Sequence, residues 1–163
     1  DIATHRRLMG IEPTPEDQMH ITAPIIFSYP ASPHLAAALD SRTLDLTLAT
    51  EATKVLAAKY DDVLIEGAGG IMVPLEGDYL TIDYIAERKL PAVVVTTGQL
   101  GSISTTLLTL RAIRDYGIEL FALVYNPHFD SDSIICGDTR HYLRGWLGRH
   151  FPDARYLEMP TSF

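Results

Sequence analysis

Cysteine is nearly absent from this sequence, which holds only Cys136 among 163 residues. A single cysteine cannot form an internal disulfide, so a reducing compartment is expected, and the cytoplasm is the predicted location. No apolar stretch reaches membrane-spanning length, so no contact with a membrane is predicted. Positive charge is also scarce. The formal net charge of −8 argues against a nucleic-acid partner, because neutralising phosphates requires a basic surface.

Motifs of covalent catalysis are missing as well. The sequence contains no Gly-x-Ser-x-Gly elbow, and Cys136 has no orienting pair nearby, so no protein nucleophile is predicted. The six histidines show no metal-ligand spacing; His34, in the first turn of a predicted helix, is more simply a residue at the edge of the core. The acidic residues Asp130, Asp132 and Asp138 are expected to form a solvated loop.

The sequence does have alternating strand and helix patterns. Continuous apolar runs predict strands buried on both faces at residues 62–66, 91–97 and 120–125, with a short strand at 156–159. Helical spacing and end signals predict helices at residues 3–9, 33–39, 44–58, 81–88, 102–116 and 141–147. Short connections between them indicate an α/β fold: one domain of residues 1–163, with a mostly parallel sheet and helices on both faces.

Three predicted strand ends carry residues suited to ligands, which gather beyond the carboxyl ends of parallel strands. Glu66, followed by Gly67, Ala68, Gly69 and Gly70, could hold Mg²⁺ while the glycines expose backbone amides. The alternative is a carboxylate that surfaces into a turn where the glycines relieve strain. On the pattern alone the two interpretations are about equally good.

The second and third strand ends favour an anion and a planar ring. Residues 96–104 place a Gly-rich turn at the start of a helix, which favours a carboxylate or phosphate; ordinary capping by Ser102 or Ser104 is the alternative. Asn126 can offer one donor and one acceptor to a ring edge such as that of adenine. More often, such an asparagine bonds its own turn.

Taken together, these segments resemble the dethiobiotin synthetase family. The resemblance is carried, in order, by Asp1, residues 30–37 around Ser32-Pro33-His34, residues 63–70 with Pro74-Leu75, Leu90-Pro91, residues 100–103, residues 107–109 and Asn126. It implies a three-layer sheet like that of the P-loop NTPases. It also implies an ATP-dependent ligase of biotin synthesis that converts 7,8-diaminononanoate and CO₂ to dethiobiotin, through a carbamate that ATP phosphorylates.

The resemblance also implies roles for individual residues. Asp1 and Glu66 are expected to hold Mg²⁺, with Gly67, Ala68 and Gly69 beside the nucleotide. Ser32, Gly69 and Gly70 are expected to contact the diamine or its carbamate. The substrate carboxylate is expected to lie against Leu100, Gly101, Ser102 and Ser104 across a homodimer interface. Adenine is expected against Asn126 and Pro127, beside Glu158, Met159 and Pro160.

One departure from the family pattern stands out. These residues contain no Gly-x-x-x-x-Gly-Lys-[Ser/Thr] run, which in the family should precede Asp1 together with a strand and a second lysine. We expect a lead segment on the same protein and little activity from residues 1–163 alone. The alternatives are a non-catalytic relative that acts as a binding or regulatory module, and another nucleotide-dependent class, such as an amide-forming ligase of cobalamin synthesis or a partitioning ATPase.

Overall fold

The computed structural model describes residues 2–160, which divide into two compact units with the boundary between Thr81 and Ile82. The prediction of a single domain stays a prediction. The elements of the first unit are α1 (Ile2–Met9), α2 (Pro15–Gln18), α3 (Pro33–Leu39), α4 (Leu46–Ala57), β1 (Pro74–Glu76) and β2 (Tyr79–Leu80). They are followed by α5 (Thr81–Glu87), β3 (Ala92–Thr97), α6 (Ser102–Asp115), β4 (Leu120–Asn126), a 3-10 helix (Pro127–Phe129), α7 (Ser133–His150) and β5 (Arg155–Glu158).

Charged contacts hold the short helices of the first unit together. The Arg6 guanidinium on α1 donates to both carboxylate oxygens of Asp17 on α2, at 2.7 and 2.9 Å. Asp17 also completes a reciprocal cap with Thr14, whose N–H donates to the Asp17 carboxylate at 2.7 Å. Buried Glu16 accepts from the Tyr60 hydroxyl at 2.9 Å, which ties α2 to the chain that follows α4.

The segment 62–66 is not a strand, so that prediction is wrong. Its backbone is irregular, and Leu64 and Ile65 are 89% and 47% exposed. An apolar run becomes a strand only where a neighbouring strand takes up its backbone hydrogen bonds, and no described strand pairs with this one. Instead, β1 and β2, which the sequence did not predict, form a small antiparallel pair, and α3 packs against β1.

The second unit contains the parallel sheet that the α/β prediction requires. Its order is β3-β4-β5, with both pairs parallel, and the free edge of β3 has no strand partner among the described residues. The α/β fold class is therefore confirmed. The core lies between the sheet and its helices, and its most deeply buried large side chains include Leu110, Ile113, Leu123, Tyr125 and Leu143.

Helices α6 and α7 pack on the same face of this sheet. Thr96 of β3 and Tyr125 of β4 are register partners, so their side chains share a face. The Thr96 hydroxyl bonds that of Thr106 on α6 at 2.7 Å, and the guanidinium of Arg140 on α7 lies 4.6 Å from the centre of the Tyr125 ring. Val95, whose side chain points to the opposite face, is 61% exposed.

The predicted helices agree with the structure to within a few residues, apart from the last. The segment 141–147 is only part of α7, which begins earlier, at Ser133. The Asp132 carboxylate accepts from the N–H groups of Ile134 and Ile135 at 2.8 and 3.0 Å, which caps the helix start. Among residues 2–160, no helix is long and apolar enough to cross a membrane.

Candidate functional site

The carboxyl ends of β3, β4 and β5 meet at one edge of the parallel sheet. Thr97 is the register partner of Asn126, and Tyr125 is that of Glu158, so the three strands end at the same level. Residues 98–104 follow β3, Pro127 follows β4, and residues 159–160 follow Glu158, the last residue of β5. The structure thus brings together the predicted carboxylate and adenine groups at the edge where ligands of parallel sheets bind.

The loop from β3 to α6 presents an uncapped helix start. Gly101 occupies the N-cap position with a left-handed backbone (φ +95°) and has no side chain to cap the helix. Of the first amides of α6, that of Ser102 donates to the Gln99 carbonyl at 3.0 Å. The Ser102 hydroxyl is buried without a hydrogen-bond partner among the described residues. Capping by Ser102 or Ser104 is therefore not what the structure shows. Ser104 and Leu100 are exposed, so this helix end is open to solvent. The amides at an accessible helix start favour a bound oxygen anion.

A groove of about 170 Å³ runs between β3 and the first turns of α6. Most of its lining residues carry hydroxyl groups, and the full set is Val94, Val95, Thr96, Thr97, Ser102, Thr105, Thr106 and Thr109. Thr96 and Thr106 bond each other, and the Thr105 hydroxyl donates to the Ser102 carbonyl at 3.1 Å. The Ser102 hydroxyl, which has no partner among the described residues, is the lining group best placed to meet a ligand. The groove is large enough for a small polar group, such as a carboxylate with part of its chain.

Asn126 bonds its own turn, as the alternative interpretation expected. Its side-chain oxygen accepts from the His128 N–H at 3.0 Å and caps the 3-10 helix that Pro127 begins. This bond orients the amide, so that the NH₂ group, with two donors, is the end that remains for a ligand. Beside it, the Met159 N–H donates to the Tyr125 carbonyl at 2.9 Å, which holds the stretch after β5 against β4.

The remaining predicted site residues lie in the first unit. Ser32 occupies the N-cap position of α3, before Pro33, but its hydroxyl makes no capping bond. Gly67, Ala68, Gly69 and Gly70 form an exposed bend after residues 62–66. Gly69 has a left-handed backbone (φ +84°), and a Cβ there would lie 3.0 Å from the Val73 side chain, whereas a Cβ on Gly70 would meet nothing within 4 Å. Open backbone of this kind can approach a ligand closely.

A divalent cation has one carboxylate available in this bend. Glu66 is exposed, and no group of three His, Cys, Asp or Glu residues suited to a metal occurs within residues 2–160. Asp1, the other predicted ligand, lies outside the described residues. Mg²⁺ commonly takes only one or two protein carboxylates and completes its shell with substrate phosphates and water. An exposed Glu66 fits that kind of site and does not fit a closed protein cage.

The expected solvated acidic loop is wrong for Asp130, and also for Asp138, which lies within α7. The buried Tyr125 hydroxyl donates to Asp130 Oδ1 at 2.8 Å, and the Arg140 guanidinium donates to Asp130 Oδ2. Burial raises the pKa of Tyr125 well above its usual value, and the bond to Asp130 raises this pKa further. The ten-residue spacing of Asp130 and Arg140 matches no motif that would predict their contact. The sequence feature that could have helped is Asp132, a helix-capping residue type at the start of the helix that carries Arg140.

Known proteins that are similar in sequence to this chain identify its family. A family model described as an AAA domain matches residues 1–145, which sets the class of the protein. ATP-dependent dethiobiotin synthetase BioD 2 of Pasteurella multocida (strain Pm70) is 42% identical over 159 residues, covering 98% of this chain and 75% of the relative. The Haemophilus ducreyi BioD 2 is 44% identical with the same coverage. BioD of Chlorobaculum tepidum is 41% identical, covering 99% of this chain and 68% of that protein. The chain belongs to the dethiobiotin synthetase family.

Proposed function

We propose that this protein is an ATP- and Mg²⁺-dependent ligase that makes dethiobiotin from 7,8-diaminononanoate and CO₂ in biotin synthesis. Family membership supports the reaction class, since the relatives are named ATP-dependent dethiobiotin synthetases. The structural observation that carries the proposal is the uncapped start of α6, with the buried, unpartnered Ser102 hydroxyl beside a hydroxyl-lined groove. Such an end suits the carboxylate of a small acid.

The substrate carboxylate is assigned to residues 100–104. Amides at the start of α6 and the Ser102 hydroxyl donate to its oxygens, and Leu100, 88% exposed, lies beside the loop. We further propose that a second copy of the chain offers this loop across a homodimer interface. Sedimentation of the full-length protein, which should give twice the mass of one chain, tests that part.

The adenine ring of ATP is assigned to the neighbouring edge, after β4 and β5. Because the Asn126 oxygen caps the 3-10 helix, the Asn126 amide acts mainly as a donor toward a ring nitrogen. Pro127 and residues 158–160 flank that position, and the bond between Met159 and the Tyr125 carbonyl keeps them in place. The position proposed for the substrate carboxylate, after β3, and that proposed for the adenine ring, after β4, thus lie at the ends of adjacent strands.

In this reaction an amine of the substrate adds to CO₂ as a carbamate, and a carbamate oxygen then attacks the terminal phosphorus of ATP with release of ADP. The second amine attacks the carbon of the mixed carbamic-phosphoric anhydride, closing the ring and expelling phosphate. None of these steps needs a protein nucleophile; they need positioning and charge stabilisation. The Gly69 and Gly70 amides and the Ser32 hydroxyl, which caps no helix amide, orient the carbamate.

Glu66, together with Asp1, is proposed to hold the metal beside Gly67 and Ala68. When bound, Mg²⁺ neutralises charge on the transferred phosphate. Within the described residues Glu66 contributes a single exposed carboxylate, as expected where phosphate oxygens complete the shell. The residues of the chain then act by binding and orienting the substrates.

The function is tested by turnover of the full-length protein with diaminononanoate, bicarbonate, Mg²⁺ and ATP, measured as dethiobiotin formed. Glu66→Gln keeps the shape and removes the charge, and should lower the Mg²⁺-dependent rate at least about tenfold, which corresponds to 1.4 kcal/mol of barrier. Glu76→Gln, which alters another exposed carboxylate of the same unit, is the matched control and should leave the rate unchanged.

Two results would contradict the proposal. Nucleotide binding without any dethiobiotin would instead favour a binding or regulatory role for a non-catalytic relative. If Glu66→Gln and Glu76→Gln gave the same rate at every Mg²⁺ concentration, the assignment of Glu66 as the metal ligand would be wrong.

A further inference from the structure

A polar cluster of three residues lies directly beneath the ligand edge of the second unit. Tyr125 is fully buried, and its hydroxyl donates to Asp130 Oδ1 at 2.8 Å. Arg140 donates to Asp130 Oδ2, and its guanidinium lies 4.6 Å from the centre of the Tyr125 ring. A buried hydroxyl and a half-buried carboxylate persist only when their bonds are satisfied, so each of these side chains fixes the position of the others.

On one side the cluster touches the loop that begins α6. Gly98 is buried, and a Cβ at this position would clash with the Tyr125 hydroxyl and the Asp130 carboxylate. It would also lie 2.7 Å from Cys136 Sγ. The Cys136 thiol also reaches the Gly98 carbonyl at 3.7 Å. The first residue after β3 therefore rests on the cluster without an intervening side chain.

On the other side the cluster reaches the stretch after β5. Tyr125 immediately precedes Asn126 in β4, and its carbonyl accepts from the Met159 N–H at 2.9 Å. Arg140 Nε, which is buried without a hydrogen-bond partner within residues 2–160, lies 3.7 Å from the Glu158 carboxylate. The cluster thus meets the first residue of the loop assigned to the carboxylate and, through Arg140 and Glu158, the stretch assigned to adenine.

We propose that Tyr125, Asp130 and Arg140 are positioning residues that hold the carboxylate loop at Gly98 in register with the nucleotide edge at Asn126. The inference rests on the proposed function for the identity of the two ligands. None of the three side chains touches a substrate; they act through the residues that do. Loosening the cluster therefore weakens the binding of both substrates while the chemistry of bound substrates is largely retained.

The test compares Tyr125, whose hydroxyl donates a hydrogen bond to Asp130, with Tyr156, whose hydroxyl donates none among the described residues. Tyr125→Phe removes the hydroxyl that bonds Asp130, while keeping the ring under Arg140. Tyr156→Phe, on the neighbouring strand, removes a buried hydroxyl that has no hydrogen-bond partner among the described residues. In the full-length protein, Tyr125→Phe should raise the KM for ATP and for diaminononanoate each by about three- to tenfold, with kcat within about twofold. Tyr156→Phe should leave both KM values unchanged.

The KM pattern separates positioning from a purely structural role. A structural role would reduce the fraction of active protein, and so kcat, while leaving both KM values at those of the unaltered protein; that result overturns the inference. So does an equal rise in KM for the two phenylalanine variants. Asp130→Asn, which preserves size and an acceptor oxygen, replaces Tyr125→Phe if the latter does not fold, and it should shift the same two KM values.

Direct binding of Mg-ATP, measured by titration calorimetry, keeps the inference independent of turnover. If the unaltered protein binds ATP but forms no dethiobiotin, the proposed function fails. The positioning role is then still decided by the ATP dissociation constant, which should rise about three- to tenfold in Tyr125→Phe and not in Tyr156→Phe. Equal constants for the two variants overturn it, as does the absence of any ATP binding by the unaltered protein.

Discussion

Gly98→Ala adds one methyl group at the most crowded glycine of the described chain. The new Cβ would lie 2.7 Å from Cys136 Sγ, and closer still to the Tyr125 hydroxyl and Asp130 Oδ1. Real Cβ atoms do not approach heavy atoms this closely, so at least one neighbour has to move. Two of the three neighbours belong to one partly buried side-chain hydrogen bond, so moving either of them breaks the bond or shifts β4.

Two costs follow from that geometry. Overpacking a tight core site by one methyl group costs about 1–3 kcal/mol. Leaving the Tyr125 hydroxyl or the Asp130 carboxylate without its partner adds about 1–3 kcal/mol. The expected loss is therefore about 2–6 kcal/mol, a large share of the roughly 5–15 kcal/mol that typically stabilises a domain.

Urea unfolding of Gly98→Ala and Gly137→Ala measures this loss against a matched control. Gly137 lies inside α7, is exposed, and a Cβ there meets nothing within 4 Å. Alanine at this helical site should stabilise by about 0.5–1 kcal/mol, so the two glycine substitutions should have opposite signs. A midpoint for Gly98→Ala equal to or above that of the unaltered protein would refute the packing argument.

A double-variant cycle shows which neighbour causes the loss. In the Tyr125→Phe background the nearest obstacle is gone, so Gly98→Ala should cost less than it does alone, by about 1 kcal/mol or more. Exact additivity of the two free-energy changes would mean that the methyl group is accommodated elsewhere, and that the clash with the hydroxyl does not govern stability.

Two further outcomes are expected in the first unit. The bond from Lys59 holds the pKa of Glu16 down at about 2, so the stability that this carboxylate contributes is present above about pH 4.5 and is lost as the pH falls toward 2. Glu16→Gln should flatten the fall in urea midpoint over that range; an unchanged slope would exclude this role. Gly69→Ala, at φ +84° and with its Cβ 3.0 Å from Val73, should destabilise by about 1–2 kcal/mol, whereas Gly70→Ala, with open space around it, should be close to neutral in the same assay.

The strands of the second unit were predictable because their local pattern and their pairing agree. Residues 91–97 and 120–125 are apolar, β-branched or aromatic runs, and β3 and β4 pair from end to end with one irregularity between Ala92 and Val93. Residues 62–66 have a similar pattern and yet form no strand, since backbone pairing depends on a neighbour that no local sequence window contains. The local residue pattern therefore predicts where a strand is possible, and backbone pairing with a neighbouring strand decides whether it forms.

The site was predictable to the same extent. The positions of residues 100–104, Asn126 and residues 158–160 follow from strand order, because the carboxyl ends of parallel strands meet at one edge. The Asn126 amide is oriented locally, by the His128 N–H two residues later, which is the turn that an asparagine at this place favours. The cluster around Asp130 depends instead on where α7 begins and on which of its side chains faces β4. That feature arises from tertiary packing, so spacing along the chain does not reveal it.

The start of α6 is less stable than a capped helix end would be, and a bound ligand would restore the missing hydrogen bonds. A serine, threonine or aspartate at the N-cap would satisfy a helix amide and typically contribute about 1 kcal/mol over an uncapped end, yet Gly101 occupies that position. One residue later, the Ser102 hydroxyl is buried without a partner among residues 2–160, which costs about 1–3 kcal/mol. An oxygen anion at this helix end would accept from both the free amides and the hydroxyl. The same two features that weaken the isolated loop would therefore strengthen binding, so saturating diaminononanoate should raise the midpoint of urea unfolding, and Ser102→Ala should diminish that increase.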